Sequence, residues 1–84
     1  MLKSVEEEWR GFAAMVFRNM DISDTQRREM RRVFFAGAWA LFNMVEEIGE
    51  PGISEQEGVD HLEAIRSEIL EFKSTIMKTY TEGN

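Results

Sequence analysis

The chain contains no cysteine, one proline, one histidine and one tyrosine in 84 residues. Without cysteine there is no disulfide, no thiolate metal ligand and no thiol nucleophile, which fits a reducing cytoplasm. The lone histidine, His61, follows Asp60 on a charged stretch and reads as solvated. A di-iron bundle needs a Glu-x-x-His pattern on two helices, and Glu57 to Asp60 and His61 do not supply it. No glycine-rich phosphate loop, nucleophile elbow or Ser/His/Asp set is present, which argues against an enzyme and leaves no cofactor to expect. Basic residues are also scarce. Ten Lys and Arg stand against sixteen Asp and Glu, for a net charge of −6 and a pI near 4.7. A duplex-binding domain carries a basic surface, so this balance argues against nucleic acid. No apolar run reaches the ~18 residues of a membrane span, and the opening MLKSVEEEWRG lacks the form of a signal peptide. Strand-period segments and internal repeats are absent.

What is present is helical. Ser4 with Glu7, Ser23 with Gln26, and Ser54 with Glu57 each have the form of a capping box. Three such signals predict three helix starts in an all-α, single-domain chain spanning residues 1–84. The first helix is expected over residues 5–19, with Val5, Trp9, Phe12, Val16 and Met20 on one face and Ala13 and Phe17 beside them. Gly11 weakens this helix and reads as a place of close packing. The second helix is expected over residues 24–48, roughly 37 Å long at 1.5 Å per residue. Gly49 is suited to end it. The segment Glu50-Pro51-Gly52-Ile53 is a tight connection. The third helix is expected over residues 55–79, with a stripe of Val59, Leu62, Ile65, Ile69, Phe72, Ile76 and Tyr80, and the closing TEGN outside it. A short loop sets the second and third helices as a long antiparallel hairpin.

The second helix holds the most apolar stretch, VFFAGAWALFNMV from Val33 to Val45, with Asn43 its only polar side chain. One stripe, Met30, Phe34, Gly37, Leu41, Met44 and Ile48, is the seam of the hairpin. Another, Phe35, Trp39 and Phe42, needs a different cover. A core of this size is marginal, and small chains often gain stability by oligomerising. A homo-oligomer, dimer or higher, is therefore expected, with Phe35, Ala38, Trp39, Phe42, Trp9 and Phe12 at the interface.

One local conflict stands out. Arg27, Arg28, Arg31 and Arg32 crowd the start of the second helix, where the helix dipole disfavours cations. The pairs 27/31 and 28/32 also repel along the helix. Such conflicts mark candidate sites. One reading has the arginines answer Glu71, with Glu68 and Glu29 also in range, or acids of a partner. The other is an anion site, since guanidinium forks suit phosphate oxygens, with Tyr80 or Phe35 available to stack on a base. The carboxylate groups Glu6 to Glu8 and Glu46, Glu47 and Glu50 read as solvated faces, so no metal site is expected.

The segment RREMRRVFFAGAWALFNMV (27–45), followed by the Pro/Gly turn and HLEAIRSEILEF (61–72), resembles small helical proteins of tailed phages. The same organisation resembles the helical hairpin of phage anti-CBASS cyclic-nucleotide sponges, with Leu62, Glu63 and Ala64 after the Ser54 turn aligning best. That resemblance implies oligomeric hairpins that sequester signalling nucleotides at subunit interfaces, in the host cytoplasm. It transfers no ligand residue; the arginine cluster is an expectation from the residues alone. The leading expectation is a non-enzymatic phage-type oligomer that sequesters a small anionic ligand such as a cyclic nucleotide. The rivals are an acidic, anti-CRISPR-like inhibitor bound to a host protein, a structural or assembly accessory, and sequence-specific DNA binding through the second helix, which the net charge opposes.

Overall fold

The computed structural model describes residues 2–82, and for Met77 and residues 79–82 the backbone alone. The described residues form three helices, α1 (Val5–Val16), α2 (Asp24–Ile48) and α3 (Glu55–Glu82), with no strand among them. No helix of the described residues is long and apolar enough to cross a membrane. The chain divides into two compact units, Met1–Phe42 and Asn43–Asn84, whose border falls within α2.

Each helix begins where its serine caps it. At Ser4 and Ser23 both halves of the box are formed. The N–H of Glu7 donates to Ser4 Oγ at 3.1 Å, and the N–H of Ser4 donates to Glu7 Oε1 at 3.1 Å. The Ser23 and Gln26 pair does the same at 3.0 and 2.9 Å. At Ser54 the hydroxyl accepts from Glu57 N–H at 3.1 Å. Each bond satisfies a backbone donor that a helix start otherwise leaves open.

In the first unit, α1 ends three residues short of the expected Asn19. The Phe17 N–H still donates to Ala13 O at 2.9 Å, but Phe17 itself leaves helical geometry, and Met20 N–H closes a turn onto Phe17 O at 3.0 Å. This early stop is compatible with packing: Phe17 is buried, and Ile22 packs back against the same cluster. The core consists of Trp9, Ala13, Val16 and Phe17, with Phe12, Met15, Ile22, Phe34 and Phe35 against it. Its rings touch edge-on or tilted, with Trp9 to Phe34 at 5.6 Å and Phe12 to Phe34 at 5.4 Å between centroids. Such tilts suit the ring quadrupoles better than face-to-face stacking. Met20, expected on the apolar face, lies past the end of α1 and is exposed.

In the second unit, the end of α2 turns through Gly49 to Ser54 into α3. Gly49 N–H donates to Glu46 O, and Ile53 N–H closes the turn onto Glu50 O. Gly52 sits at φ +94°, a backbone state that only glycine adopts readily. Gly58 is buried against Ile48; a Cβ there would lie 2.8 Å from Ile48 Cγ2. Ile65 is the other buried position on α3 among the described residues. The helix runs to Glu82, three residues beyond the expected end at 79, because no glycine or proline interrupts it before Gly83.

Candidate functional site

The arginine cluster rests on the Ser23 cap, which fixes where α2 begins and so which way each side chain leaves it. Successive residues turn about 100° round a helix, so Arg27 and Arg31 share one face, while Arg28 and Arg32 share another. The guanidinium of Arg31 lies 4.5 Å from the Phe35 ring centroid, and that of Arg27 lies 5.8 Å from the Phe17 ring. Arg31 also closes on α1. Its Nε and Nη2 both donate to Glu6 Oε2, at 3.1 and 2.8 Å. The other oxygen of Glu6 faces Arg10 Nε at 3.6 Å. Glu6 thus bridges two arginines from the first turn of α1, where an acid also complements the helix dipole.

Arg32 pairs along its own helix with Glu29, at 3.4 Å, with both side chains well exposed. Arg28 has no ion pair, hydrogen bond or ring contact among the described residues. The four arginines therefore separate into two roles. Arg27 and Arg31 brace aromatic rings and, through Glu6, tie α2 to α1. Arg28 and Arg32 stand outward. The carboxylate that answers Arg31 within the first unit is Glu6; the short path from α1 into α2 brings it there. The side chain of Tyr80, expected to stack on a ligand, lies outside the described residues.

The expected interface residues also separate. Trp9 is 4% exposed and belongs to the core of its own chain, so it needs no cover from a second copy. Phe12, Phe35 and Ala38 are half-buried, the two phenylalanines against that same core. The reason is that α1 lays its aromatic face on the start of α2. Trp39 and Phe42 are 69% and 60% exposed. Although α2 holds the most apolar stretch of the chain, none of its residues is buried.

Sequence reasoning passed over one concavity. Glu47, Ile48, Ile53, Glu57 and His61 line a hollow of about 220 Å³ beside the turn of the second unit. It brings the lone histidine to two carboxylates that are ten positions apart in sequence, and only the folded turn reveals this. No group of three or more His, Asp or Glu side chains among the described residues could hold a metal ion. Comparison with protein-family models, with curated proteins and with solved structures found no match.

Proposed function

We propose that the protein is a non-enzymatic, self-associating helical protein of the tailed-phage type, whose copies cover the outward face of α2. The observation that carries this reading is the exposure of Trp39 and Phe42, neighbours three apart on a helix with no buried residue. Large aromatic side chains exposed side by side on a small chain suit an interaction face. Sedimentation across a wide concentration range tests it. The expected result is an oligomer that dissociates on dilution, with the emission of Trp39 shifting to the red. A single chain at millimolar concentration would overturn it.

The function we attach to this oligomer is sequestration of a small anionic ligand, most concretely a cyclic nucleotide, in the cytoplasm of a host cell. Support comes from Arg28, which has no partner among the described residues, and from Arg32, whose one partner is an exposed neighbour on its own helix. Guanidinium groups so placed are available to phosphate oxygens. Calorimetry with a panel of cyclic di- and trinucleotides tests it. Heat that disappears in Arg28→Ala and Arg32→Ala supports it, and no heat across the panel at high protein concentration removes it.

A second reading is an acidic inhibitor that docks on a basic host protein. It is favoured by the exposed carboxylates Glu7 and Glu8 on α1 and Glu55, Glu57 and Glu63 on α3. Capture from host lysate at low and high salt separates the two readings, because salt screens surface charge pairing and leaves burial intact.

A further inference from the structure

The second unit carries an apolar groove of its own. Ile69, Phe72 and Ile76 line a hollow of about 350 Å³ on α3, with Glu68 and Lys73 at its margins. Phe72 is 65% exposed and Ile69 46%, although their spacing is that of a buried stripe. Leu62, Ile65, Ile69, Phe72 and Ile76 recur at three, four, three and four residues, the spacing of a coiled-coil seam. In heptad terms Leu62, Ile69 and Ile76 occupy a, and Ile65 and Phe72 occupy d. Ile65 is buried within its own chain. Beyond it, Ile69 and Phe72 lie uncovered in the seam.

The charges at its margins identify what fits. Glu68 stands just before an a position and Lys73 just after a d position, so they occupy g and e. In a parallel pair of helices, g of one faces the e five residues on in the other. A second copy laid parallel on the groove therefore brings Glu68 to the partner's Lys73, and by symmetry Lys73 to the partner's Glu68. An antiparallel copy instead sets e against e, which brings Arg66 to the partner's Lys73, a repulsive contact.

We propose that the segment of α3 from Glu68 to Ile76 pairs in parallel with the same segment of a second copy, with Ile69 and Phe72 in the seam and Glu68–Lys73 ion pairs on both flanks. This rests on the reading that the protein self-associates, and adds a contact separate from the outward face of α2. Two heptads are too short to hold a pair alone, so the seam strengthens an association and fixes its direction.

The absence of cysteine makes the test direct, since any introduced thiol is the only one in the chain. Under mild oxidation Ile69→Cys is expected to cross-link into a dimer, while Ser74→Cys, on the outer face of α3, is not. Glu68→Lys and Lys73→Glu are each expected to weaken self-association several-fold, and the double exchange to restore it. Helicity by circular dichroism checks that these exposed substitutions leave the fold intact. Cross-linking of Ser74→Cys as readily as Ile69→Cys would overturn the proposal. So would linkage of Ile69→Cys only when mixed with Phe72→Cys, which is the antiparallel outcome. A wild-type oligomer indifferent to both charge exchanges removes the α3 pairing and leaves self-association standing. A wild-type monomer removes both.

Discussion

At the scale of single residues, Glu6 and Arg31 form the one ion pair among the described residues that joins two helices of the first unit, and both side chains remain partly in water. Exposed pairs of this kind are worth about 0.2–1 kcal/mol. Glu6→Gln is therefore expected to lower the stability of the chain by no more than that, and the loss should shrink as salt shortens the Debye length. Arg31→Ala should cost more, because it also removes the cation from the face of Phe35, a contact worth roughly 0.5–1 kcal/mol. Urea unfolding at low and high salt distinguishes the two: the Glu6 effect fades, and part of the Arg31 effect persists. The glycines make a sharper pair. A Cβ at Gly11 meets nothing within 4 Å, so the close packing expected there does not occur within this chain. Gly11→Ala should gain helix stability of up to about 1 kcal/mol. Gly58→Ala offers the same helical gain but drives a methyl group to 2.8 Å from Ile48 Cγ2. That atom belongs to a branched side chain with little freedom to move. The substitution should therefore be destabilising, and thermal unfolding should give opposite signs for the two alanines.

At the scale of elements, what could be read from the chain were the signals that act locally. The three serine boxes mark all three helix starts because capping depends on residues three apart, and α2 runs over the expected 24–48. The helix ends were less legible. Phe17 ends α1 as it folds into the core, and that core includes residues of α2 that no local signal announces. The arginines were legible as a conflict but not in its resolution, since Glu6 lies 25 positions from Arg31 and only the packing of α1 on α2 brings them together. Trp9 shows the same limit. Its apolar bulk was evident, yet whether a second copy or its own chain covered it depended on where Phe34 came to lie, now 5.6 Å away between ring centroids. Trp9→Ala should accordingly destabilise the first unit by about 3–5 kcal/mol, the usual cost of truncating a buried tryptophan. Loss of α1 helicity, seen by circular dichroism and by faster proteolysis near Arg10 and Arg18, is the expected readout.

At the scale of the whole molecule, the disposition of apolar surface connects fold to function. The first unit buries Trp9 and Phe17, while Trp39 and Phe42 stay outside, two turns further along α2. A surface tryptophan that touches nothing contributes little, and replacing it usually changes stability by less than about 0.5 kcal/mol. A tryptophan at a subunit interface behaves otherwise, because association stabilises the folded chain by mass action and makes the melting temperature depend on concentration. Trp39→Gln separates these cases within a single series of measurements. At low micromolar concentration the variant and the parent protein should melt together, since both are dissociated. As concentration rises, the parent should climb by several degrees and the variant should lag behind it. If the two curves stay parallel, the outward face of α2 is not where copies meet, and a ligand pocket built there has no walls. If they diverge, adding Arg28→Ala to the Trp39→Gln background should produce no further change in melting. The arginine then serves the ligand rather than the interface, and its effect should appear only in the calorimeter.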